Sequence, residues 1–124
     1  MAKTNHEHEA ATFVAVLFHS ATNAHFMHLQ TRSYAQHKAL QEYYEGIVDL
    51  ADKWAEAYQG CYDLITTYPS EFHLARDPEQ YFQKLTEFVD AIRPTLPSET
   101  QLQNIVDEIA DLIDTTRYKL RFLE

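Results

Sequence analysis

Five side chains between residues 25 and 56 are of the types that hold a borderline-hard divalent cation: His25, His28, His37, Asp52 and Glu56. Neutral imidazole and carboxylate together suit a metal such as iron, with zinc as a possible substitute. His25 and His28 fall near the end of one apolar-striped segment, and the other three lie on the next. The fifteen residues from His37 to Asp52 correspond to about 22 Å along a helix at 1.5 Å per residue, so they cannot share a metal within one chain. Asp52 and Glu56 are one turn apart and can converge. A joint site therefore needs a second copy, most simply an antiparallel pairing of second helices about a two-fold axis that generates two equivalent sites.

The elements that must position these residues are helices. With two glycines and four prolines in 124 residues, the chain has little material for the tight turns of a small all-β protein. Over residues 5–30, Ala10, Phe13, Val14, Leu17, Ala21, Ala24 and His28 form a stripe at helical spacing. Thr4 or Asn5 can cap its start, Glu7 and Glu9 suit the positive end of the helix dipole, and the helix should end near Thr31. Ser33 is placed to cap a second helix, whose stripe is Leu40, Tyr43, Tyr44, Ile47, Leu50, Ala51, Trp54 and Tyr58. That helix ends at Gly60 or continues to about Thr66; the pattern leaves both open. Residues 67–76 read as a connector.

Asp77-Pro78-Glu79 is a strong helix start. Tyr81, Phe82, Leu85, Phe88, Val89 and Ile92 give the third helix its apolar face before Pro94 and Pro97 close it. Ser98-x-x-Gln101 is a capping-box pattern for a fourth helix striped by Leu102, Ile105, Val106, Ile109, Leu112, Ile113 and Leu120. The fold class expected is all-α, a single domain over residues 1–124 built as an antiparallel four-helix bundle.

Composition bounds the function. Nineteen acidic against ten basic residues give a formal charge of -9, which disfavours direct nucleic-acid binding. No apolar run approaches a membrane span, and the N-terminus lacks the order of a signal peptide, so the expectation is a cytoplasmic protein without membrane contact. The single Cys61 cannot form an intrachain disulfide and reads as a packed thiol. His6, His8, His19 and His73 read as surface histidines, and the eight tyrosines as core and interface.

From His25 the order is His37 twelve residues later, Asp52 fifteen later, then Glu56 within D52-K-W-A-E56. This spacing resembles the ferroxidase centre of the starvation-induced DNA-protecting ferritin-like proteins, the Dps family. The end Y118-K-L-R-F-L123 is also similar to that family's closing helix. Residues 28–60, with H-x-Q-T-x-S-Y-A-x-H-K-A, resemble small ferritin-like domains of phage and viral genomes. The resemblance implies a ferritin-like bundle, a homo-oligomer built on a two-fold dimer, and iron bound by histidines of one subunit with Asp52 and Glu56 of the other. The activity it implies is Fe(II) oxidation by peroxide or dioxygen. His25 and His28 remain alternatives for the first ligand position. Gln41 stands where the family often has an acidic ligand, and no lysine-rich tail is present, since only Lys3 precedes the first helix.

The competing reading takes His37, Gln41, Glu45, Asp52 and Glu56 as a solvated helix face. The chain is then a non-catalytic acidic interaction module, for example a phage-encoded one docking on a host protein.

Overall fold

The computed structural model describes residues 6–124, which form four α-helices and, among the described residues, no strand: α1 (Glu7–Gln30), α2 (Tyr34–Cys61), α3 (Pro78–Ile92) and α4 (Thr100–Phe122). The caps foreseen at Thr4 or Asn5 lie outside the described residues. Ser33 caps α2 by accepting from the Gln36 N–H, and Asp77 caps α3 by accepting from that of Gln80. The expected capping box at α4 is not formed: the cap position is Glu99, without a side-chain bond to the helix. Its carboxylate is instead taken by the Tyr62 hydroxyl. Helix α2 passes Gly60 but stops at Cys61, well short of Thr66.

Named contacts fix the direction of every helix. The α1–α2 hairpin is antiparallel, with His28 beside His37 at one end and Phe13 beside Trp54 further down. Helix α4 runs back along α2, from Gln101 at Cys61, through Lys53 at Glu108, to Lys119 at Glu42. Helix α3 runs against α4, with Thr86 near Arg117 and Arg93 bonded to Asp107 at 2.5 Å. All four neighbouring pairs are therefore antiparallel, while the diagonal pair α2 and α3 points the same way. Two such helices need a crossover as long as the bundle, and residues 63–77 supply it without helix.

The crossover lies along α1 and is held by one buried amide. Asn23 accepts from the Ala75 N–H at 2.8 Å and donates to the His73 carbonyl at 3.3 Å, as a peptide of a neighbouring strand would. Phe72 adds an edge contact to His19. The core lies between the four stripes, with Phe13, Tyr43, Trp54, Tyr58, Phe82, Leu102 and Ile109 almost fully enclosed. Ser20 Oγ donates to the Leu17 carbonyl and so accepts from the Tyr43 hydroxyl at 2.7 Å. Burial pushes the Tyr43 phenol far up, which keeps it a donor. Gly46 gives α4 its close approach, because a Cβ there would meet Leu112 Cδ2 at 3.1 Å.

Candidate functional site

The link between α1 and α2 is only residues 31–33, so the two helices meet within one turn of each other. His28 and His37 fasten that end. Their rings stack at 3.6 Å, His28 Nδ1 lies 2.8 Å from the His37 carbonyl, and His37 Nδ1 lies 2.8 Å from the His28 carbonyl. A carbonyl only accepts, so both Nδ1 atoms carry the hydrogen. Neither Nε2 has a protein partner among the described residues, and neither is sealed from solvent. His37, expected on the outward face, is thus half-buried as one half of a reciprocal latch. Exposed His25 stacks face to face on Tyr44 at 4.2 Å and stands 5.9 Å from the His28 ring, which is edge-on to the same tyrosine, so His25 and His28 share Tyr44 while His37 stacks on His28.

Asp52 and Glu56 converge as their spacing requires, both exposed on α2. A hydrogen bond between them, reinforced by their like charge, pushes the Glu56 carboxyl upward. The structure keeps this pair apart from the histidines: among the described residues no three His, Cys, Asp or Glu side chains are placed to hold a metal ion. The five candidate ligands form two separate groups along the α1–α2 pair, the histidines at its linked end and the carboxylates further along α2.

A feature that the spacing of metal-ligand types does not reveal overlaps the histidine group. Phe18, Thr22, His25, Phe26 and Leu29 make an outward stripe on α1, with Phe26 45% and Leu29 67% exposed. Beside it on α2, Val48 is 41% exposed, one and two turns before Asp52 and Glu56. The signal for this face was in the sequence: from Ala10 to Gln30 there is no Asp, Glu, Lys or Arg.

The opposite end of the hairpin has its own polar cluster. His6 is not a surface histidine: it is half-buried, its Nδ1 2.9 Å from the Tyr58 hydroxyl and its ring edge-on to Tyr62. The Tyr62 hydroxyl donates to Glu99, which pushes the phenol up to about 12 and the Glu99 carboxyl down. Cys61 is exposed rather than packed, with Gln101 Nε2 3.4 Å from its sulfur. His8 and His73 are exposed as expected, whereas His19 is half-covered by Phe72.

Fold and site define an all-helical bundle that bares an apolar face on α1. The chain belongs to DUF5856, a family of unknown function, which matches residues 28–120. It is also similar, at 25% identity over 114 residues covering 90% of this chain and 88% of the relative, to an uncharacterised 14.6 kDa protein from the mobD–ri intergenic region of Enterobacteria phage T4. No solved structure matches it.

These findings overturn the Dps-like and ferritin-like resemblance: the family that matches is one of unknown function, the relative is an uncharacterised phage protein, and neither is described as Dps-like or ferritin-like. The physical reason is that its motifs are short. Histidines near helix ends, and carboxylates one turn apart on an outward face, recur wherever amphipathic helices pair. No helix is long and apolar enough to cross a membrane among the described residues.

Proposed function

We propose that this protein is a non-catalytic helical interaction module whose binding face is the outward side of α1 with the adjoining edge of α2. One observation carries the reading: in a chain of net charge -9, α1 bares Phe18, Phe26 and Leu29 along a stretch with no formal charge. An exposed helix face is ordinarily supplied with charged residues, and contiguous apolar surface with a polar rim is what protein-binding patches present. The relation to a phage protein makes a host protein one class of partner to consider. The test is photo-cross-linking in the expressing cell from benzoylphenylalanine placed at Phe26 or Leu29, with Lys84 on α3 as the control position. Adducts, whether to another copy or to a different protein, should form from the α1 positions alone; equal labelling from Lys84, or none from α1, removes the reading.

A second reading, divalent-metal binding, is favoured by the histidine latch. Imidazoles that donate Nδ1–H to a carbonyl are oriented to coordinate through Nε2, and His28 and His37 both do so. Iron, or zinc in its place, would be held by His37 and either His25 or His28, with Asp52 and Glu56 supplied by another copy. Oxidation of Fe(II) would be the activity on this reading. Anaerobic calorimetric titration with Fe(II) and Zn(II) checks it. Asp52→Ala/Glu56→Ala should abolish uptake without changing helicity, and an isotherm unaltered by that pair ends the proposal.

A further inference from the structure

Beyond the α1 face, we infer a second docking surface, on the α2–α4 side at the linked end of the bundle, whose occupant is an acidic segment of a different protein. Charge is segregated along the bundle axis. Lys53 meets Glu108 and, eleven residues on along both helices, Glu42 meets Lys119, so one register holds for the α2–α4 contact. Thr86 beside Arg117 puts the start of α3 at the same end. From the Glu42–Lys119 pair outward stand six of the ten Lys and Arg residues: Arg32 and Lys38 at the start of α2, Lys119 and Arg121 on α4, Arg76 and Lys84 about the start of α3. Only four acidic residues share that end, Glu42, Asp77, Glu79 and Glu124. Of these, Glu42 is taken by Lys119, and Asp77 caps its own helix. The rest of the described chain has fifteen acidic residues against three basic ones. The net charge of -9 therefore conceals a basic tip on an acidic body.

Three large rings are bare among these charges: Tyr34 is 75% exposed, Tyr118 56% and Phe122 64%. Tyr118 lies 5.8 Å from the Phe122 ring, and the Arg121 guanidinium stands over that ring at 5.1 Å. By the α2–α4 register Lys38 is level with Leu123 and Tyr34 stands one turn beyond, so the patch from Tyr118 to Tyr34 is about 14 Å long. Neither Arg32 nor Arg121 has an ion-pair partner among the described residues. A guanidinium laid on a ring keeps its N–H edge open, and that fork fits a carboxylate. Tyr, Phe and Arg are enriched where proteins bind one another, and Tyr and Arg are prominent among the residues that carry the binding.

The remaining acidic residues select among anionic partners. A nucleic-acid strand leaving the patch runs onto exposed Glu45 and Asp49 of α2 or Asp111 and Asp114 of α4, and its own charge does not stop. A lipid surface meets the whole tip at once, exposed Glu79 and Glu124 included. A second copy brings carboxylates without apolar groups to cover the rings, as on the outward side of α3 with Glu79, Gln83, Glu87 and Asp90. An acidic segment of about ten residues, interleaved with apolar ones, covers the patch as one helix. It ends where the acidic body begins, and salt confines the body's repulsion to about 8 Å.

Fluorescence anisotropy on the full chain tests the inference, with a labelled peptide of about ten residues that mixes Glu and Asp with Leu and Phe as the probe. Binding with a Kd below about 0.1 mM is expected. The same peptide with Gln for Glu and Asn for Asp should bind about tenfold more weakly or worse, a comparison that needs no variant to fold. Arg32→Glu/Arg121→Glu and Tyr118→Ser/Phe122→Ser should each weaken binding of the acidic peptide by about tenfold or more at unchanged helicity, while Lys53→Glu in the acidic body leaves it unchanged. No binding up to about 1 mM, equal binding of the amide peptide, or indifference to both pairs of substitutions overturns the inference. So does tighter binding of oligothymidylate or of phosphatidylserine vesicles than of the peptide, or self-association that the same substitutions abolish. Phe18→Ser, on the α1 face, should leave peptide binding as it is; a loss there would assign the peptide to α1 and overturn the second surface. The reading of α1 stands or falls on its own photo-adducts.

Discussion

Helices α1 and α3 both sit on the outside of the bundle, and they treat solvent in opposite ways. Helix α3 buries Phe82, Leu85, Val89 and Ile92 and turns Glu79, Gln83, Lys84, Glu87 and Asp90 outward. Its apolar stripe is used up by the fold, and its other side carries polar and charged residues. Helix α1 buries a broader arc, including Ala10, Phe13, Leu17, Ala24 and Met27, and still has Phe18, Phe26 and Leu29 left over. The fold accounts for one face of each helix. On α3 nothing further needs explaining, whereas on α1 the unspent apolar surface points to contact with another macromolecule.

If the inner faces are equivalent, truncating either should be equally severe. Trp54→Ala beneath α1 and Phe82→Ala on α3 are each expected to cost about 3–5 kcal/mol in chemical denaturation, because both side chains are fully enclosed. A markedly smaller loss for Trp54→Ala would mean that α1 is held by its outer contacts more than by the core. The latch comes next in size. His28→Ala removes a hydrogen bond to the His37 carbonyl and a ring stack, a loss of about 1–3 kcal/mol. The double variant His28→Ala/His37→Ala should cost less than the sum of the singles, since both belong to one fastening.

The outer faces should then part company. Leu29→Ser on α1 and Lys84→Ser on α3 should each leave monomer stability within about 0.5 kcal/mol. Only Leu29→Ser should reduce binding of a hydrophobic dye or of a partner, and equal behaviour of the two would break the comparison. The smallest effect lies at the far end of the hairpin. Tyr62 keeps its proton in the fold up to about 12, against 10.0 for the free side chain. The folded state therefore binds more protons between those values, and stability contributed there below pH 10 is lost as the pH rises through them. Tyr62→Phe should flatten that alkaline decline in a pH series of melting curves.

Much of this fold was legible from spacing. The helix starts at Ser33 and Asp77, the stripes of α2, α3 and α4, and the convergence of Asp52 with Glu56 all follow from periods of three and four residues and from side chains that cap their own backbone. The site was legible only in part. Placing His37 outward counted its angle on one helix and could not see α1 ending beside it. Reading the spacing of His25, His37, Asp52 and Glu56 as a Dps-like signature rested on a few matching intervals, and membership of DUF5856 corrected that family assignment. Meanwhile the run without charge from Ala10 to Gln30 was in plain view and informative.

The sequence by itself determined the helices, their inward stripes, and the separation of the histidines from the carboxylates, because each depends on geometry within one or two turns. Tertiary structure decided which polar groups were absorbed by the fold. His28 and His37 turn on each other because a three-residue link brings their backbones together, and Asn23 is tied up by a crossover fifty residues downstream. It also decided that Phe18, Phe26 and Leu29 stay uncovered. No pattern within a helix can state that, because exposure depends on whether another element arrives, and along this side of α1 none of the described residues does.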